Sequence, residues 1–113
     1  MNKDFKEFQK WFKRYQDKFG LSGWEVFFKY EPIGDGFANI STELGDMSAT
    51  VRLNSKLPDN VEPFKDIKRT AKHEALHLLC ARLEHNGRAR FISTEEIYET
   101  TEELVNKLCG LIE

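Results

Sequence analysis

The run His73-Glu74-Ala75-Leu76-His77 constrains the fold of this chain more than any other feature. Residues four apart on an α-helix lie about 40° apart around its axis, so both imidazoles project from one face and can bind one metal ion. Apolar helix-forming residues surround the run: Ile67, Ala71, Ala75, Leu76, Leu78, Leu79 and Leu83. Without a metal, two histidines and a glutamate in a buried helix would carry a desolvation cost. The sequence therefore predicts a buried helix with a metal site on one face.

The size and charge of the chain limit the remaining possibilities. Its 113 residues are 40% hydrophobic and include nine Phe and two Trp, which suits one core but leaves no room for a second lobe. We therefore expect a single domain over residues 1–113. The formal net charge of −2, from 17 basic and 19 acidic residues, predicts no nucleic-acid partner.

Basic and aromatic residues alternate at helical spacing near the N-terminus. The basic residues are Lys3, Lys6, Lys10, Lys13, Arg14 and Lys18, and the aromatic residues are Phe5, Phe8, Trp11, Phe12 and Tyr15. An amphipathic helix with one solvated face explains this pattern, and a basic face that binds a partner is the alternative.

Hydropathy and cysteine content bear on the compartment. No apolar stretch approaches the ~20 residues that span a bilayer, and the N-terminus is too polar for a signal peptide. We expect a cytoplasmic protein with no membrane partner. Two cysteines, Cys80 and Cys109, are too few for a disulfide framework. Because Cys80 follows His77 by three residues, it is either a packed thiol or an additional metal ligand.

Three strands are predicted between the first helix and the motif helix. The first helix covers residues 3–19, with Gly20 as its C′ residue. Strands are expected over residues 24–30, 37–42 and 48–54, and the third has the clearest alternation of apolar and polar residues. We interpret this third strand as an edge strand on which an extended peptide pairs.

Two helices complete the predicted order of elements. The motif helix is expected to run without a break over residues 64–86 and to meet Gly87. Ser93 and Glu96 form a capping box that begins a last, acidic helix.

The His73-Glu74-x-x-His77 pattern, set in this order of elements, resembles the zincin-like zinc metallopeptidases. The arrangement Glu102-x-x-Val105-x-x-Leu108 in the last helix is similar to that of small phage and bacterial zincins of this length. The resemblance implies an α+β fold with an N-terminal helix, a small three-stranded sheet, the motif helix and a C-terminal helix. It implies a Zn²⁺ ion bound by both histidines, with Glu74 as the general base. Hydrolysis of a peptide or protein substrate by a zinc-activated water is then expected.

Within the zincins, the third metal ligand separates the groups. Metzincins are excluded, because Cys80 and Leu83 stand where that group has a glycine and a third histidine. Gluzincins take a glutamate from a following helix, and the candidates here are Glu95, Glu96, Glu99, Glu102 and Glu103. If the last two helices are antiparallel, Glu102 faces the two histidines, and Glu99, one turn earlier, is the alternative. Glu96 is used by the capping box.

Several alternatives stay open. A non-catalytic zincin-like module that binds zinc and regulates a partner would have the same fold, although the intact Glu74 argues against it. A structural zinc site would need a fourth ligand such as Cys80, and a hydrolase for another kind of bond would use the same activated water. The donors that stabilise transition-state charge are unranked among Tyr30, His85, Arg88 and Tyr98. The sequence gives no basis for predicting the oligomeric state.

Overall fold

Two helices cover one face of a three-stranded sheet at the centre of the molecule. The computed structural model describes residues 2–111, without the side chain of Cys109. In chain order the elements are α1 (Lys3–Lys18), β1 (Glu25–Glu31), β2 (Ala38–Glu43), β3 (Ser48–Asn54), a 3₁₀ turn (Glu62–Phe64), α2 (Ile67–Leu79), α3 (Ala81–Arg88) and α4 (Thr94–Cys109). The predicted α+β class and the three strands are confirmed. None of the helices within the described residues is long and apolar enough to cross a membrane.

Gly20 ends α1 as predicted. Its φ angle of 73° lies in the left-handed region, which glycine adopts without a steric penalty. The Gly20 N–H donates to the carbonyl of Asp17, and the Leu21 N–H donates to the carbonyl of Gln16. These two bonds form a Schellman motif, which satisfies carbonyls at the end of the helix. The buried Gln16 amide also donates to the carbonyls of Leu21 and Trp24, so it fixes the path of the chain into β1.

Strand β3 lies at the centre of the sheet, in the order β1-β3-β2. It pairs parallel to β1, with Phe28 opposite Val51, and antiparallel to β2, with Ile40 opposite Val51. The prediction that residues 48–54 form an edge strand is therefore wrong, although their bounds are right. Both sides of the β3 backbone are hydrogen-bonded, and its apolar side chains are buried beneath the helices. The edge strands are β1 and β2.

Aromatic side chains of α1 fill the space between the helices and the sheet. Phe8 and Phe12 are fully buried, and both meet the Phe28 ring edge-on, at centroid distances of 6.3 and 5.4 Å. Burial of each such side chain stabilises the fold by roughly 1.5–3 kcal/mol. Ala71 and Ala75 of α2 are also fully buried, and their small side chains let α1 approach closely. The motif helix is thus held at the centre of the fold.

The motif helix is broken at Cys80, where the prediction had one continuous helix over residues 64–86. Asp66 caps the start of α2 by accepting a hydrogen bond from the Arg69 N–H, and α2 ends at Leu79. Cys80 has φ −91° and ψ 3°, a bridge-region conformation that interrupts the helical path. No glycine or proline marks this break in the sequence. Gly87 lies inside the last turn of α3 instead of ending the helix.

Helix α4 packs mainly against α3. Its start is as predicted, because the Ser93 hydroxyl accepts a hydrogen bond from the Glu96 N–H at 3.0 Å. The other half of the capping box is absent, because the Glu96 carboxylate accepts hydrogen bonds from Arg82 instead. The buried Asn86 amide donates to the Thr100 hydroxyl, and this contact joins α3 to α4.

Candidate functional site

The two histidines of the motif lie side by side on the surface of α2. The Nε2 atoms of His73 and His77 are 3.2 Å apart, and their exposed rings are inclined at 75°. A tetrahedral zinc ion bound to two imidazoles at about 2.0–2.1 Å would hold the nitrogens roughly 3.3–3.4 Å apart. The observed separation therefore fits a shared zinc ion, and it also fits a hydrogen bond between two neutral imidazoles.

Glu74 is buried directly beside this exposed pair, with 5% of its surface accessible. Burial raises the pKa of its carboxyl group above the ordinary value, and the neighbouring His77 and His73 partly oppose the shift. A carboxylate that is poorly solvated accepts protons more readily than an exposed one. Glu74 therefore has the environment of a general base.

Two cavities flank the histidine pair, and strand β2 lines both. The first has a volume of about 300 Å³, and its lining includes Phe37, Ala38, Phe64, Arg69, His73 and Glu74. The second has a volume of about 310 Å³, and its lining includes Ile40, Thr42, His77, Ala81, Glu84 and Arg88. The histidines thus lie along a cleft between β2 and the motif helix.

The β2 backbone presents hydrogen-bonding groups to this cleft. The Asn54 N–H donates to the Phe37 carbonyl at 2.9 Å, so residues 37 and 54 form a hydrogen-bonded pair. Such pairs alternate along antiparallel strands. Ala38, Ile40 and Thr42 consequently direct their N–H and C=O groups away from β3, toward the open edge. An edge that can pair with a peptide therefore lies beside the histidines, although on β2 and not on the predicted strand.

No third ligand joins the histidines in the part of the chain that the structure describes. Across residues 2–111, histidine, cysteine and acidic side chains form no group of three or more that could hold a metal ion. Cys80 is a free, half-buried cysteine and belongs to no such group. Glu99 is bound to Arg82 at 3.2 Å, and Glu102 is exposed to solvent. The structure does not bring either glutamate to the histidines.

The break at Cys80 explains this arrangement of the acidic helix. The placement of Glu102 opposite the histidines assumes that α4 lies along one continuous motif helix, whereas α4 packs on α3. Three of its carboxylates converge on one guanidinium group: Arg82 pairs with Glu96 at 2.8 Å, Glu99 at 3.2 Å and Glu103 at 2.8 Å. The hydrogen bonds that Arg82 donates to Glu103 and Glu96 raise the pKa of Arg82 above its usual range.

Among the predicted charge-stabilising donors, Arg88 is the one that shares a cavity with a motif histidine. It lines the cavity next to His77, and its guanidinium pairs with Glu84 at 2.8 Å. Tyr30 stacks on Phe5 with centroids 5.3 Å apart, and its own cavity contains neither histidine. His85 and Tyr98 are exposed and line neither cavity of the cleft.

Sequence reasoning missed several residues of the cleft. Arg69 precedes His73 by four residues on α2, so helical spacing places it in the same row as the histidines. Glu84 lies beyond the break at Cys80, and α3 brings it to the cleft. The spacing in the sequence was therefore a signal for Arg69 and not for Glu84. Phe37 and Phe64 gave no comparable signal, because the pairing of β2 and the course of the loop bring them into the cleft.

Comparison with known proteins gives little further information. No protein-family model matches the chain, and no curated protein matches it. Among solved structures, it is similar to the metallopeptidase zymogen jannalysin of Methanocaldococcus jannaschii, at 15% identity and a TM-score of 0.44. The match covers 89% of this chain and 96% of jannalysin. At that distance, the likeness carries no inference about the residues of this chain.

Proposed function

We propose that this protein is a zinc-dependent metallopeptidase. The observation that carries the proposal is the pair of imidazole nitrogens 3.2 Å apart, beside a buried glutamate and within a cleft bordered by an edge strand. His73 and His77 would hold the metal as neutral imidazoles. The donor set suits zinc, because imidazole nitrogen and carboxylate oxygen are ordinary zinc ligands.

In the proposed mechanism, residues of the chain transfer the proton and stabilise the developing charge. Zinc, when bound, supplies Lewis acidity that polarises a carbonyl and lowers the pKa of water. Glu74 takes the proton of the attacking water and passes it to the leaving amine. Arg88, in the cavity beside His77, donates hydrogen bonds to the negative charge that develops on the substrate.

The cleft supports a peptide substrate in extended form. A peptide that adds to the open edge of β2 pairs with the outward N–H and C=O groups of Ala38, Ile40 and Thr42. Its side chains then point alternately toward and away from the two cavities beside the histidines. Because the affinity comes mainly from backbone hydrogen bonds, we expect weak side-chain preference.

Glu102 is the proposed third ligand, with Glu99 as the alternative. Glu102 makes no ion pair with the described residues, whereas Glu99 is held by Arg82. Its carboxylate is therefore the less constrained of the two. Neither lies with the histidines in this structure, so coordination by either requires that α4 changes its position relative to α2.

A second candidate function is a zinc-binding or regulatory module with no catalysis. The observation that favours it is the lack of a third ligand at the histidines among residues 2–111. Such a module would bind zinc weakly and would not need Glu74.

Cleavage of an unfolded protein by the zinc-loaded protein tests the proposed function. We expect new peptide ends in mass spectra, their loss with a chelator, and their recovery when zinc is added back. His77→Ala should abolish cleavage, while His85→Ala, which removes an exposed histidine outside the cleft, should leave it unchanged. Equal cleavage by His77→Ala and wild type would rule the proposal out.

A further inference from the structure

A second surface, on the side of α2 away from the histidines, combines aromatic rings with positive charge. Trp11 and Tyr15 of α1 are half-buried, and their rings stack with centroids 6.2 Å apart and planes inclined at 30°. Exposed basic residues from two helices surround the rings. We define this cationic-aromatic face by Lys10, Trp11, Arg14, Tyr15, Lys18, Lys68 and Lys72.

The basic groups of this face are directed at the rings. The Lys68 ammonium lies 4.5 Å from the centre of the Trp11 ring, and the Arg14 guanidinium carbon lies 5.2 Å from it. Lys10 is 5.5 Å from the same ring, and Lys72 is 5.9 Å from that of Tyr15. Contacts of this kind fix cations near an aromatic face without neutralising their charge.

None of these cations forms an ion pair with an acidic residue of the described chain. The ion pairs among residues 2–111 use Arg52, Lys65, Arg82 and Arg88, and none uses a cation of this face. Glu7 and Asp17 lie on the same helix, but both are exposed and neither forms an ion pair there. The net charge of −2 for the whole chain therefore conceals a local excess of positive charge, five cations against Glu7 and Asp17. The expectation of no nucleic-acid partner rests on the net charge and does not describe this face.

A cavity of about 290 Å³ opens onto this face. It is lined by Trp11, Arg14, Tyr15 and Lys18, so it offers an aromatic wall beside two cations. At about 100° per residue, Lys72 lies roughly 100° around α2 from His73, so the face is distinct from the histidine cleft. None of its residues lines the cavities beside the histidines.

We propose that the cationic-aromatic face binds a single-stranded nucleic acid. Proteins bind single strands with cations that follow the phosphates and with aromatic rings on which bases stack. On this face a base would stack on Trp11 or Tyr15 in place of the flexible cationic side chain now over that ring, and the displaced cation would contact a phosphate. An acidic peptide would use the cations but has no need of the stacked rings. A membrane surface is disfavoured, because insertion into lipid needs rings that protrude from the surface, whereas Trp11 and Tyr15 are half-buried and stacking needs only one accessible ring face. The proposal is independent of the peptidase activity.

Fluorescence anisotropy of a labelled oligothymidylate tests this inference on the intact protein. Trp11→Leu, which keeps apolar bulk without a stacking ring, should weaken binding by about tenfold, within the range measured for loss of one stacked base. Lys68→Ala/Lys72→Ala should reduce the slope of log affinity against log salt by about 1.4, or roughly 0.7 for each phosphate contact. Lys29→Ala/Lys56→Ala is the matched control, because it removes the same charge away from the face.

Intrinsic fluorescence gives a second readout that does not depend on the stability of the Trp11 variant. Trp11 and Trp24 are the two tryptophans of the chain, so Trp24→Phe leaves Trp11 as the sole reporter. Stacking of a base should quench it. Any of three results would overturn the inference. The first is no binding of the oligothymidylate at low salt, and the second is equal affinities of the test and control lysine variants for it. The third is that polyglutamate or anionic lipid vesicles displace the labelled oligothymidylate as well as unlabelled oligothymidylate does.

Discussion

Glu74 is ionisable, buried and adjacent in sequence to an exposed histidine, and its environment gives the protein a specific pH dependence. Its pKa is raised by burial, so the folded protein holds the proton more tightly than the unfolded chain. The stability associated with this proton is complete below the unfolded pKa of about 4.3 and is lost as the pH rises through the folded pKa.

Glu74→Gln should therefore stabilise the metal-free protein at neutral pH. The variant does not lose a proton, so its melting temperature should exceed that of the wild type at neutral pH in the presence of a chelator. The difference should shrink as the pH falls below about 4, where the wild-type carboxyl group becomes protonated in both states. A difference that stays constant over this range would contradict the assigned burial effect.

Single substitutions in α4 test which glutamate is the third zinc ligand. Glu102→Ala should weaken zinc binding by more than tenfold, or about 1.4 kcal/mol, because a charged ligand is lost. Glu99→Ala is the comparison, and zinc affinity is measured by competition with a chromophoric chelator. If Glu99→Ala alone releases the metal, the ligand lies one helical turn earlier. If neither change has an effect, the ligand lies elsewhere and the gluzincin-like assignment fails.

Local sequence signals predicted the ends of several elements. Gly20 ends α1 and Ser93 begins α4 because each satisfies the terminal groups of its own helix, a requirement that is visible in the sequence. Strand order was not predictable in the same way. The alternation over residues 48–54 shows that one face is buried, but it does not say whether a neighbouring strand pairs on both sides. The break at Cys80 also lacks a local signal.

Arg82 should help to hold α4 against α3, together with the Asn86–Thr100 contact. It joins three carboxylates of α4, so Arg82→Ala should lower the free energy of unfolding by about 1 kcal/mol or more through lost charged hydrogen bonds. Arg88→Ala is the control, because its exposed pair with Glu84 contributes only about 0.3–0.5 kcal/mol. Amide hydrogen exchange in α4 should increase in the first variant and not in the second. Equal exchange would show that other contacts hold the helix.

The open edge of β2 gives a further prediction. The Thr42 N–H points away from β3, so Thr42→Pro should fold but bind peptide more weakly, because proline has no N–H to donate. In Ser41→Pro, the lost N–H is one that pairs with β3, and stability should fall instead. Melting temperatures and KM values for one peptide separate these effects. An unchanged KM for Thr42→Pro would argue against pairing at this position.

Some features of the candidate site depend on the fold of the whole molecule and were not predictable from local sequence patterns. The pair His73 and His77, with Glu74 beside them, was predictable because helix geometry alone fixes their spacing. The cleft was not, because it depends on which strand lies at the edge of the sheet and on where the loop places Phe64. The position of α4 was not predictable either, since it depends on the contacts of α3 beyond the break at Cys80.

The central claim is that His73 and His77 hold zinc while Glu74 carries out proton transfer. The most direct test measures zinc content and cleavage of an unfolded protein on the same samples of wild type and Glu74→Gln. We predict one zinc per chain in both proteins, with cleavage by the wild type that a chelator stops and no cleavage by the variant. Equal cleavage by the two proteins, or a wild type that binds no zinc even when zinc is added, would contradict the claim.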